Sequence, residues 1–106
     1  MTREEIAKLE LINNQTGNKR FELHIDGKLA FLDYMIVRGN VMYLTHTEVP
    51  KDLEGLGVGS TLVSKVLDYI RANDMLMAPL CPFLASYLKR PPEKADGILA
   101  PGYNIG

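Results

Sequence analysis

Three groups of residues have the types and spacing to do chemistry. In Leu44-Thr-His46-Thr-Glu48-Val-Pro50 a histidine and a glutamate stand two apart. On an extended strand that spacing puts both on one face, about 6.7 Å along the chain, so the carboxylate could hold or charge-stabilise an imidazole, directly or through a water. His46 could then serve as a base; as a residue sharing its face with Met42 and Leu44, it could equally be a satisfied core histidine. Cys81 stands immediately before Pro82, which suits the first position of a helix. Unpaired amides and the helix dipole at such an entrance stabilise a thiolate. A cysteine there could be a transient nucleophile, an acyl-group contact or plain packing. The third group is Leu53-Glu-Gly55-Leu-Gly57-Val-Gly59-Ser-Thr61, with three glycines ahead of a helical stretch. A glycine-rich turn feeding a helix N-terminus offers partnerless amides to an anion and lets a phosphate approach the backbone. The same glycines could also do no more than connect and cap.

Two known phosphate loops are excluded. A Walker loop needs lysine before its final Ser or Thr, and Gly59 occupies that place before Ser60. The dinucleotide fingerprint needs another glycine three residues after the second, where Leu62 stands, and a βαβ unit around it. His24, His46 and Cys81 lack the spacing of a zinc site, so no metal is implied. Twelve basic against thirteen acidic residues, without a cationic cluster, disfavour nucleic acid as a partner.

The elements that must hold these groups follow from turn residues and apolar periodicity. Lys8 to Asn13 reads as a first short strand. Phe21, Leu23 and Ile25 alternate with Glu22 and a solvated His24 as a second. Asp26-Gly27 suits a two-residue hairpin turn, returning Leu29 to Val37 as an antiparallel third strand. Both faces of that strand are apolar, which predicts cover on two sides. Val41 to Val49 is the fourth. From Gly59 to Asn73 the stripe Leu62, Val63, Val66, Leu67 and Ile70 is helical. Met75 to Leu80 reads as a fifth strand, placed at an edge or splayed from its neighbour by Pro79. A second helix begins at Pro82, buries Phe83, Leu84, Tyr87 and Leu88, carries Lys89 and Arg90 in its last turn and stops at Pro91-Pro92. Residues 94–106 read as an irregular tail. The expectation is a single α+β domain over 1–106, with an antiparallel mixed sheet, element order ββββαβα and two helices packed on it. With no apolar stretch of membrane or signal length, one cysteine and a charged start, the chain reads as cytoplasmic.

That order of elements and three local blocks together resemble the GNAT superfamily of acyl-CoA-dependent N-acyltransferases, and its compact single-domain branch in particular. The blocks are His46-Thr-Glu-Val-Pro50, Gly57-Val-Gly59 and Pro79-Leu-Cys-Pro-Phe83, with Tyr87 and Pro91-Pro-Glu93 at similarly typical places. The resemblance covers about residues 6 to 93. At position 54, where the superfamily signature has Gln or Arg, this chain has Glu54. The resemblance implies acetyl-CoA as cosubstrate and transfer of its acetyl group to an amine. It implies His46 as base, Glu48 as its partner and Cys81 beside the thioester opposite His46. It makes Tyr87 the acid that protonates departing coenzyme A. Backbone groups near Thr47 and Val49 would meet the pantetheine arm, and amides of Gly57, Val58, Gly59 and Ser60 the pyrophosphate. It is silent on the amine acceptor, small molecule or protein. A monomer or weak homo-oligomer is expected. The alternative is a non-catalytic acyl-CoA-binding or interaction module that kept the cradle and lost turnover.

Overall fold

Three hairpin connections and one crossover build the sheet. The computed structural model describes residues 1–89 and 92–103. Strand β1 (Ile12–Asn14) pairs with β2 (Arg20–Ile25), β2 with β3 (Lys28–Arg38) and β3 with β4 (Val41–Glu48), all antiparallel. Asp26 and Gly27 both adopt positive φ, 51° and 76°, as the tight turn between β2 and β3 requires. From β4 the chain passes through a short 3-10 turn (Lys51–Leu53) into the long helix α2 (Val58–Ala72) and returns as β5 (Leu76–Pro79), parallel to β4. Helix α3 (Pro82–Leu88) follows, giving strand order β1-β2-β3-β4-β5.

The core lies on one face of this sheet. Phe21, Leu23, Ile25, Ala30, Leu32, Met42 and Leu44 from the strands meet Leu62, Val63, Val66, Leu67 and Ile70 of α2, and Leu84 and Leu88 of α3 join the same cluster. All of these are at most 1% exposed. Complete removal of that much apolar surface from water is the dominant favourable contribution to the fold. The ring of Phe21 sits 4.8 Å from Tyr34 and 5.1 Å from Tyr69, and the Tyr34 hydroxyl donates to Asn13 Oδ1 at 2.6 Å, which ties the short strand β1 to the centre of the sheet.

Four expectations need correction. The chain does not open directly into a strand: Arg3–Ala7 forms a short helix, α1, capped by Thr2 and Glu5 in a reciprocal capping box, and β1 starts only at Ile12. Ile6 on this helix is fully buried, and α1 rests against α2. The third strand is central but covered on one side only; Met35 and Val37 are 55% and 62% exposed. Phe83 likewise lies outside the buried stripe of α3, at 41% exposure. The segment expected as an irregular tail carries a 3-10 turn (Pro92–Ala95) and then runs beside β5, with Met77 N donating to Ile98 O and Ala100 N to Met77 O. Arg71 of α2 donates to the carbonyls of Lys94 and Asp96 and holds that segment in place. Arg90 and Pro91, which the sequence reading placed at the end of α3, and residues 104–106 lie outside the described residues.

Two consequences can be measured. Ile6→Ala removes the only fully buried side chain of α1 and should lower unfolding free energy by about 2–5 kcal/mol in urea titrations; an unchanged midpoint would mean that α1 does not dock. Glu22 is buried on β2, which pushes its carboxyl up, but hydrogen bonds with Asn14 at 2.9 Å and His24 at 2.8 Å outweigh burial and hold it below the usual range. A lowered folded-state value means that this stability is present above the unfolded-state pKa of about 4.3 and disappears as pH falls through the folded value. The stability difference between wild type and Glu22→Gln should therefore shrink on acidification through that window.

Candidate active site

One open cleft of about 860 Å³ gathers all six of the expected cofactor-binding residues. Thr47, Glu48 and Val49 of the β4 end, Glu54 to Gly59 except Leu56, Ser60 and Phe83 all line it, together with Arg3 and Lys51. The cleft exists because β4 and β5 part. Their pairing runs from Val41–Leu76 to Leu44–Pro79, closes with Leu80 N donating to Leu44 O, and goes no further. Pro79 has no amide hydrogen to extend the ladder. From Thr45 to Glu48 the edge of β4 that faces away from β3 therefore has no strand beside it among the described residues.

The glycine turn forms the floor. Gly57 is the N-cap of α2, with φ 77° and no side chain to bond the first turn. The first intrahelical bond runs from Thr61 N to Gly57 O, so the amides of Val58, Gly59 and Ser60 precede the helical ladder. No acidic residue occupies the first turn. The backbone of this turn therefore favours an anion. Each glycine has its own reason. Gly55 and Gly57 have positive φ, 85° and 77°, a region costly to residues with a Cβ. Gly59 is helical, but a Cβ there would lie 2.4 Å from Cζ of Phe83, so the α3 ring closes over the start of α2.

The catalytic candidates divide between the two faces of β4. Register counting shows why: Asp33 pairs with His46 but Tyr34 with Leu44, so Thr45 is an extra residue, a β-bulge. Its hydroxyl donates to the Asp33 carbonyl at 3.3 Å. One inserted residue reverses the alternation. Met42 and Leu44 point into the core, whereas His46 and Glu48 point to the open face, 56% and 61% exposed, with Nε2 and Oε1 3.3 Å apart. The expected sharing of a face by His46, Met42 and Leu44 is corrected by this bulge; the pairing of His46 with Glu48 is what the spacing implied. The Phe31 ring lies 6.1 Å from the imidazole, and Arg20 stacks over that ring at 4.2 Å.

Thr47 turns to the other face. Its Oγ1 meets Cys81 Sγ at 3.1 Å, where Cys81 is the N-cap of α3 and only 2% exposed. His46 and Cys81 do not line the cleft, although their neighbours Thr47, Glu48 and Phe83 do. Tyr87 is half-buried against the core and also lies outside it. The structure thus brings together the six expected cofactor-side residues and, separately, the pairs His46–Glu48 and Thr47–Cys81. Sequence reasoning missed Arg3 and Phe83. The Thr2-x-x-Glu5 capping box was the available signal for the helix that carries Arg3; the contact of Phe83 with Gly59 had none. Among the described residues no three His, Cys, Asp or Glu side chains gather as metal ligands would, and no helix is long and apolar enough to cross a membrane.

A mixed sheet whose parallel strands β4 and β5 separate beside a glycine-capped helix is the architecture that the resemblance to acyltransferases implied. The family model for GCN5-related N-acetyltransferases matches residues 20–97, and the chain belongs to that family, within the GNAT superfamily of acyl transfer enzymes. It is similar to Protein NATD1 of Mus musculus and of Gallus gallus, with 26% identity over 83 residues, 76% of this chain and 76% of each relative. Protein NATD1 of Homo sapiens is equally similar, with 74% of its length covered.

The ring contact over the cradle can be tested by a double-mutant cycle. Gly59→Ala should destabilise the protein by about 1–3 kcal/mol through overpacking against Phe83. In a Phe83→Ala background the same change should cost less than about half as much, because the ring is gone. Additive free energies in urea unfolding would show that Gly59 does not contact the ring.

Proposed function

We propose that this protein transfers an acetyl group from acetyl-CoA to a primary amine. The observation that carries the reading is the cleft itself: an unpaired β4 edge at Thr45–Glu48 leading to the partnerless amides at Gly57–Ser60. An extended pantetheine arm can add to the free edge as a strand would, and the pyrophosphate can settle on the amides. The thioester supplies an activated acyl carbon.

The acceptor approaches across the open face of β4. A lysine-type amine, with a pKa of about 10.4, arrives protonated at neutral pH and must lose a proton to become a nucleophile. His46 Nε2 faces Glu48 Oε1 at 3.3 Å, so the proton is accepted at the other ring nitrogen, Nδ1, and Glu48 stabilises the imidazolium formed. The C–N bond forms, the C–S bond breaks, and the coenzyme A thiolate takes a proton from the solvent or from a hydroxyl on the core side of β4. Tyr87 and Thr47 are the candidates for that acid; Thr47, which both lines the cleft and touches Cys81, is the nearer to the free edge. Cys81 lies behind Thr47 and supports it in a one-step transfer; a two-step route, or any contact of its sulfur with the acyl end, would require the sulfur to be uncovered from Thr47 first. The acceptor is a small-molecule amine or a lysine side chain of a protein, and the reaction runs in the cytoplasm without metal, by a monomer or weak homo-oligomer.

A second reading, an acyl-CoA-binding module without turnover, is favoured by one observation: His46 stands on the open face, outside the cleft. Two variants separate the readings. Ser60→Glu adds a favourable first-turn carboxylate to α2, so thermal stability should hold or rise, while calorimetric affinity for acetyl-CoA falls at least about tenfold. Binding that Ser60→Glu leaves intact would remove the cradle assignment. His46→Ala should leave acetyl-CoA affinity unchanged and lower acetyl transfer to a polyamine or lysine-peptide panel by roughly 100-fold; equal rates would remove the base, and no transfer by wild type would favour the binding module.

A further inference from the structure

The first residues of the chain reach the cradle. Helix α1 is short, but it is fixed twice: by the Thr2–Glu5 capping box, with Thr2 N donating to Glu5 Oε1 at 2.9 Å and Glu5 N to Thr2 Oγ1 at 3.1 Å, and by Ile6, which is fully buried in the core. Arg3, at the first helical position, is thereby aimed across α2 at the glycine turn 52 residues away in sequence. Its Nη2 donates to the Gly55 carbonyl, and its Nη1 lies 2.9 Å from where a Cβ on Gly57 would stand. Arg3 lines the cleft, and among the described residues it pairs with no carboxylate.

Position 54 raises the electrostatic problem that this arrangement answers. Glu54 and Glu48 both line the cleft and repel a diphosphate; Lys51 also lines it, while the nearby Lys28 is engaged with Asp52. We infer that Arg3 is a pyrophosphate-binding residue of the acyl-CoA site, supplying from the N-terminal helix the cation that the glycine turn lacks at position 54. The assignment rests on the acetyl-CoA reading above. A guanidinium has five N–H donors in a fixed fork, so one can hold the Gly55 carbonyl while others face an anion. The carbonyl bond orients the fork, and the fork in turn screens Glu54 from the ligand. Arg3 is here a binding residue and takes no part in bond making.

Calorimetry with defined ligands and three variants tests this. Arg3→Gln keeps N–H donors on a shorter side chain and removes the charge. It should weaken acetyl-CoA binding about tenfold and flatten the salt dependence, since one charged contact is lost. The loss should persist with dephospho-coenzyme A, which retains the pyrophosphate, and vanish with S-acetylpantetheine, which has no phosphate. Arg3→Lys should lose less than Arg3→Gln. The double variant Arg3→Gln with Glu54→Arg, which moves the cation to the turn itself, should regain most of the affinity. Thermal unfolding of each variant shows whether α1 stays docked. Wild-type binding that Arg3→Gln leaves unchanged, a loss of equal size with S-acetylpantetheine, or a loss absent with dephospho-coenzyme A would each overturn the assignment while leaving acetyl-CoA binding in place. Failure of the wild type to bind acetyl-CoA at all would overturn the function reading, and this assignment with it.

Discussion

Between Leu44 and His46 the fourth strand carries one residue more than its partner, and the site is arranged around that insertion. The bulge at Thr45 sits where β5 leaves the sheet, because Pro79 has no hydrogen to continue the ladder and Leu80 caps the last carbonyl of the pair. Before the bulge, β4 is a central strand with a neighbour on each side. After it, the strand has β3 on one side and a cleft on the other. The same inserted residue turns His46 and Glu48 away from the core and Thr47 toward Cys81. Without it His46 would follow Met42 and Leu44 into an apolar interior, where a charged imidazolium is costly.

A one-sided sheet is the second condition of the design. The apolar stripe of α2 and the buried leucines of α3 enter one cluster with the inner faces of β2, β3 and β4, so the outer face is left without a helix over it among the described residues. That face is a mixed surface. Phe31 lies between the stacked Arg20 and the His46 ring, Arg20 Nε is 3.5 Å from Asp33 Oδ1, and Glu22 and His24 continue the row on β2. The cradle is built mainly from backbone: a left-handed glycine cap and partnerless amides, with the Phe83 ring seated over Gly59 and the Arg3 guanidinium on the Gly55 carbonyl.

The sequence determined a great deal of this by itself. The Asp26-Gly27 hairpin, the alternation of β2, the stripe of α2 and the helix start at Pro82 are local patterns, and local sterics and periodicity decide them. The three motif blocks sufficed for the family, and the spacing of His46 and Glu48 sufficed for their pairing, because two residues on a strand share a face whichever face it is. Tertiary structure alone decided which face. A bulge is a mismatch of register between two strands, so neither Thr45 nor Asp33 announces it in isolation. The same holds for the separation of Cys81 from His46, for the ring of Phe83 against Gly59 and for the reach of Arg3 to Gly55: each joins positions distant in the chain through a path that only the packed core fixes. Even the cover of β3, apolar on both faces, was undecidable from composition, since a strand's hydrophobicity states what could be buried and only the number of helices that pack on the sheet states what is.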